Sequence, residues 1–138
     1  MKLKEVTSKT IHPSIRKLLS YATSESKVIE EYDNYIRSLN RKLYSFELES
    51  EIVGVIGIEM IRPNNGVIKH IAVSPNQRGH EIGSRMIKFV CEIHSLSYIS
   101  AETDRDAVGF YRKYGFQITS LGEKYPGVER FECEYAVK

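Results

Sequence analysis

Hydrophobic residues follow two different periods along this chain. Between Ser14 and Tyr21, the residues Ile15, Leu18 and Leu19 fall on one side of a helix. Pro13 precedes them at a first helical turn, where its missing N–H had no partner to lose. From Ser24 a second helical pattern carries Val28, Ile29, Tyr32, Ile36 and Leu39, with Glu25, Glu30 and Glu31 in the N-terminal half, where acidic side chains suit the helix dipole. At Leu43 the period changes to two. Leu43, Ser45, Glu47 and Glu49 alternate with Tyr44, Phe46 and Leu48, and Ser50–Glu51 reads as a tight turn. Ile52 to Ile61 is apolar and β-rich, with Gly54 and Gly57 inside it. Arg62-Pro63-Asn64-Asn65-Gly66 is a turn signal, and Val67 to Val73 is the next strand. Residues 43–73 therefore predict three consecutive antiparallel strands.

The helical period returns from Ile82 to about His94, with Ile82, Met86, Val90 and Ile93 on one face. Tyr98 to Ala101 is a short strand. Asp104 is placed to cap a helix carrying Ala107, Phe110, Tyr111 and Tyr114, and Gly115 stops it. Phe116–Leu121 and Arg130–Val137 read as two final strands. The expected order is α-α-β-β-β-α-β-α-β-β. That is an α/β (α+β) architecture with a mixed, largely antiparallel central sheet flanked by helices.

Composition narrows the class. The 138 residues suit a single domain, 1–138, with 41% hydrophobic and 28% charged residues. A net charge of +2 is too small to argue by itself for a nucleic-acid or anionic-membrane partner, and neither is expected. Arg78, Arg85, Lys88, Arg112 and Lys113 do not form a basic stripe interleaved with aromatics. No apolar run is long enough to span a bilayer, and MKLKEVTSKT has no signal-peptide core. Cys91 and Cys133 lie far apart without histidine at metal spacing, so neither a disulfide framework nor a metal site is expected. A cytoplasmic protein is the expectation.

Two stretches carry candidate chemistry. In "HIAVSPNQRGHEIGSRM" a strand passes through a glycine-containing turn straight into a helix. The first N–H groups of a helix have no intrahelical partner and the dipole adds positive potential, so this turn is suited to a phosphate. Arg78 adds a bidentate donor, and Gly79 and Gly83 allow close approach. A dinucleotide-binding glycine fingerprint and a Walker loop are both absent. The second stretch, "ETDRDAVGFYRKYGF", reads as a strand end, a capped short helix and a glycine stop, with Tyr111 in the helix.

Together these stretches resemble the GNAT superfamily of acyl-CoA-dependent N-acetyltransferases, over about residues 43–137. In the family's pyrophosphate pattern, Gln/Arg-x-x-Gly-x-Gly/Ala, Arg78 fills the first position and Gly83 the last. Glu81 stands where the family has its middle glycine. Ala107, Phe110, Tyr111, Gly115 and Phe116 match the second segment, with Asp104 where an asparagine is common. The resemblance implies acetyl-CoA as cosubstrate and an amine acceptor. It implies that Ile71, Ala72 and Val73 lie on a splayed strand pairing with pantetheine. Arg78, Gly79, His80, Glu81, Ile82, Gly83 and Ser84 would face the pyrophosphate, and Asp104 would sit near the pantetheine arm. Val73 N–H would meet the oxyanion, and Tyr111 would lie near the thioester sulfur as general acid.

The Glu81 carboxylate is expected to face solvent, with Arg78 or Arg85 offsetting its charge. A catalytically silent CoA-binding module is the alternative that Glu81 raises. The general base is open among Glu59, His70, Glu102 and a water chain. The resemblance implies an acceptor wall within Ile11 to Leu39, which carries Tyr21, Glu25, Glu30, Glu31, Tyr32, Asp33 and Tyr35, together with the Lys124–Val128 loop. The last strands, with Phe131, Tyr135 and Val137, are candidates for pairing across a homodimer.

Overall fold

A computed structural model describes residues 2–137. From Pro13 onward the elements come in the expected order: α1 (Pro13–Ala22), α2 (Val28–Arg37), β2 (Arg41–Leu48), β3 (Glu51–Arg62), β4 (Asn65–Val73), α3 (Ile82–Ile93), β5 (Tyr98–Asp104), α4 (Val108–Tyr114), β6 (Gln117–Tyr125) and β7 (Val128–Ala136). One further strand, β1 (Lys2–Glu5), precedes them and pairs antiparallel with β2. Its four residues carry too little pattern to be seen in the sequence.

The strands form one seven-stranded sheet in the order β1-β2-β3-β4-β5-β7-β6. Among the described residues only β4 and β5 run parallel. β7 lies between β5 and β6, so the last strand is interior and β6 is the edge. Helices cover both faces. On one, Ile15, Leu18 and Leu19 of α1 and Val28, Tyr32 and Tyr35 of α2 pack on Leu43, Val55 and Ala72. On the other, Met86, Ile87 and Val90 of α3 pack on Phe46, Ile56 and Ile58. This double cover explains why Leu43, Tyr44, Ser45 and Phe46 are all buried despite the expected alternation. The helical faces are narrower than the periodicity suggested, because Ile29, Leu39 and Ile93 are exposed.

Two local features set the geometry of the sheet. The β2–β3 turn is Glu49–Ser50, one residue earlier than expected, with φ of 53° and 67°. Positive φ at both central residues is the hairpin turn whose twist matches the strands. The second feature is a bulge. Gly57 pairs with His70 but Ile58 pairs with Ile68, so Lys69 is an extra residue in β4. A one-residue slip exchanges the two faces of a strand. Ile68 therefore packs with the α3 core, whereas Ala72 packs under α1 and α2. Gly57, opposite His70, lies against Tyr35 of α2.

Candidate active site

The ladder between β4 and β5 runs from Asn65–Tyr98 to Ile68–Ala101 and stops. β4 continues beside β3 to Val73, while β5 continues beside β7 to Asp104. The two strands part at the Lys69 bulge, since a bulge bends the strand that carries it. A cleft of about 910 Å³ opens between them. The N–H of Ser74 donates to the Val53 carbonyl across the β3 side. Successive residues of a strand point their backbone groups to opposite sides, so Val73 and Ile71 turn theirs toward the cleft. The Val73 carbonyl accepts from Arg78 Nε at 3.3 Å.

The cleft wall brings together residues from both candidate stretches. Ile71, Ala72, Val73, Arg78, Gly79, Glu81, Ile82, Gly83, Ser84, Asp104 and Tyr111 all line it. His80 is exposed and does not line it. The loop turns into α3 through two left-handed residues, Gly79 at φ 89° and Glu81 at φ 60°. Glu81 is the N-cap of α3, its side chain is exposed, and its carbonyl accepts the first helical hydrogen bond from Arg85 N–H at 3.0 Å. A left-handed conformation is why glycine suits this position. Gly83 serves a different purpose. A Cβ there would meet the Phe110 ring at 2.9 Å, so its hydrogen lets α4 pack on the first turn of α3.

Arg78 is held in place twice. Besides Val73, its guanidinium lies 5.8 Å from the centroid of the Tyr21 ring, at the end of α1. Asp104 Oδ1 accepts from Ala107 N–H at 3.0 Å and fixes the turn that leads into α4. Tyr111 is buried between Phe110 and Phe116, with ring centroids at 5.1 and 5.2 Å. Its hydroxyl makes no hydrogen bond to the described residues, and the residue lines the cleft. Burial, with the neighbouring Cys133, pushes its pKa up, so the phenol keeps its proton at neutral pH.

The three candidate bases have different surroundings. Glu59 is paired with Arg41 at 3.3 Å and Lys69 at 3.9 Å, and it lies off the cleft wall. Glu102 lines the cleft but accepts from Arg130 at 3.1 Å and Lys124 at 3.4 Å. Burial raises its pKa, but those two cations outweigh burial and hold it below the usual carboxylate range. His70 is buried in the wall, with Nδ1 2.5 Å from Tyr35 Oη and Nε2 3.9 Å from Glu31. The pairing of His70 with Tyr35 was not visible in the sequence, because it depends on the bulge and on Gly57.

The expected acceptor wall is only partly assembled. Of Ile11 to Leu39, only Tyr21 and Ala22 line the cleft. Tyr32 is buried and donates to the Ser8 carbonyl at 2.6 Å. Tyr35 is buried as well, and Glu31 faces His70. Residues 124–128 form the β6–β7 hairpin tip and lie off the wall, although Lys124 reaches Glu102.

The sequence pattern of the acetyltransferase (GNAT) domain matches residues 39–118, more than half of the chain. The chain belongs to the GNAT acetyltransferase family. The uncharacterised N-acetyltransferase of the lysA 3′ region of Bacillus methanolicus is 30% identical over 80 residues, which span 56% of this chain and 67% of that protein. Solved structures share the GNAT fold at low identity. A GNAT family acetyltransferase from Elizabethkingia anophelis with acetyl-CoA bound superposes with a TM-score of 0.76 at 21% identity, over 99% of this chain and 97% of that one. An aminoglycoside 6′-N-acetyltransferase complexed with coenzyme A gives 0.79 at 16% identity, over 99% and 97%. Acetyl transfer is thus the general activity of this GNAT chain's family, and acetyl-CoA or CoA is bound in these fold neighbours. No helix among the described residues is long and apolar enough to cross a membrane.

Proposed function

We propose that this protein transfers the acetyl group of acetyl-CoA to a primary amine, with the β4–β5 cleft as the cofactor groove. The observation that carries the reading is the parting of β4 from β5 at the bulge. It leaves the backbone of Ile71 and Val73 unpaired on a wall that also holds the α3 loop and Tyr111. Pantetheine has two amides, and an open strand edge offers them the pairing a neighbouring strand would. The N–H groups of Ile82, Gly83 and Ser84 start α3 and suit the pyrophosphate. Asp104, on the facing strand end, lies beside the pantetheine arm.

The chemistry follows from these positions. The neutral amine attacks the thioester carbon, and the Val73 N–H, turned to the cleft, donates to the oxyanion that forms. Collapse expels the thiolate. Tyr111, protonated and without an internal partner, donates a hydrogen bond to the sulfur as its charge develops. The raised phenol pKa makes outright proton loss from Tyr111 uphill to a thiolate of ordinary basicity, about 8.5, so the proton finally taken by sulfur comes from the acylated nitrogen. Arg78 acts mainly by holding the Val73 carbonyl and closing the loop against Tyr21. The test is acetyl-CoA-dependent thiol release in the presence of a panel of primary amines, alongside acetyl-CoA binding. Binding without thiol release from any amine would favour a silent CoA-binding module.

A further inference from the structure

We propose that His70 is the group that takes the proton from the acceptor amine, and that Tyr35 and Gly57 position it. The inference rests on the acetyl-transfer reading and adds the missing base. The Lys69 bulge exchanges the faces of β4 beyond Ile68, so His70 turns toward α1 and α2 instead of into the α3 core. There it forms part of the cleft wall. The ring is fixed on one edge by the Tyr35 hydroxyl at Nδ1, and the rings stand at 71° to each other. Gly57, directly across the ladder, leaves the space that Tyr35 fills: a Cβ there would lie 2.0 Å from the hydroxyl oxygen. Bulge, glycine and tyrosine together aim one imidazole.

The surroundings keep His70 neutral and able to accept. Burial lowers its pKa, Lys69 on its own strand and Arg41 on β2 lower it further, and Glu31 on α2 opposes them. In the tautomer that carries its hydrogen on Nδ1, His70 donates to the Tyr35 oxygen and keeps the Nε2 lone pair for the incoming proton. Once His70 is charged, Glu31 at 3.9 Å from Nε2 steadies the imidazolium. The other two candidate carboxylates are already committed to two cations each.

Protons balance as follows. An alkylammonium gives one proton to His70 Nε2, directly or through one water, an uphill transfer drawn forward by attack on the thioester. The neutral nitrogen forms the N–C bond, and the carbonyl electrons move to oxygen. The C–S bond then breaks, and the second nitrogen proton passes to the departing thiolate. His70 returns its proton to solvent, so acetamide, free thiol and one proton are released.

Two nucleophiles separate this role from a structural one. n-Propylamine, with a pKa near that of lysine at about 10.4, is almost wholly protonated at neutral pH and needs a base. Hydroxylamine is already neutral there and does not. In His70→Gln, kcat/KM for n-propylamine should fall by about 10²-fold or more, while the value for hydroxylamine changes less than about threefold. Acetyl-CoA affinity should be unchanged. The pH dependence with n-propylamine should lose its lower inflection in His70→Gln. In Tyr35→Phe that inflection should move to lower pH, because the imidazolium loses an acceptor. Equal losses with both nucleophiles, or no loss with either, would overturn the assignment of His70. No thiol release from the unaltered protein with either nucleophile would overturn acetyl transfer itself, and His70's role with it.

Discussion

Replacing Glu81 by glycine isolates the one departure of the phosphate loop from its family pattern. Two effects oppose each other in stability. Glu81 holds φ 60° at the N-cap of α3, a left-handed conformation that costs a residue with a Cβ about 1 kcal/mol, and glycine removes that cost. The carboxylate at a helix N-terminus contributes about 0.3–1 kcal/mol through the dipole, and glycine loses it. The variant should therefore lie between no change and about 0.7 kcal/mol more stable. Binding responds to charge. An exposed carboxylate ~6 Å from one phosphate charge in water repels it by ~0.7 kcal/mol, and two phosphates roughly double that before screening by salt. Glu81→Gly should tighten acetyl-CoA binding by up to about tenfold, with Glu81→Gln giving most of the gain and the difference shrinking at high salt. Titration calorimetry of the three proteins at two ionic strengths reads this directly. A gain of several orders of magnitude, or one that persists at high salt, would mean the carboxylate occupies the pyrophosphate site and that its solvent-facing role is wrong.

Tyr111→Phe should lower turnover by about 10²-fold or more with acetyl-CoA affinity nearly unchanged, checked by steady-state kinetics and calorimetry, since the hydroxyl has no partner in the described protein to lose. Gly57→Ala should destabilise the fold by about 1–3 kcal/mol and expel Tyr35 from His70, because the new Cβ overlaps the phenol; urea unfolding and the His70 NMR titration would show both. His70 and His94 both have pKa values lowered in the fold, chiefly by burial. The unfolded chain then binds protons first, so thermal stability should be level above an unfolded pKa of about 6.5 and fall as pH drops below it, a slope that His70→Gln should reduce.

The sequence made the elements legible where a period of two or 3.6 was unbroken, as in 43–73 and 82–94. The two motif stretches also placed the groove, because strand, turn and helix are local and the loop chemistry is read from adjacent residues. What stayed hidden was long-range. The Lys69 bulge is a mismatch between strands, so nothing in Ile68-Lys69-His70 announces it, and with it went the facing of His70 toward Tyr35, 35 residues away. In the sequence, Gly54 and Gly57 are only two glycines inside a strand. In the fold, a Cβ at Gly54 would lie 3.1 Å from Met86, and one at Gly57 would overlap Tyr35, so both mark close approaches across layers. The resemblance implies an acceptor wall in the region that carries Tyr32 and Tyr35, but an aromatic on an amphipathic helix is more often core, and both are buried.

Calorimetric titration of acetyl-CoA into the protein, against adenosine diphosphate, tests the central claim most directly. A working cleft between β4 and β5 predicts one-to-one binding with a micromolar dissociation constant, much tighter than the diphosphate, because the strand edge adds pantetheine contacts that the diphosphate lacks. No binding at millimolar acetyl-CoA, or equal affinity for the diphosphate, would contradict it.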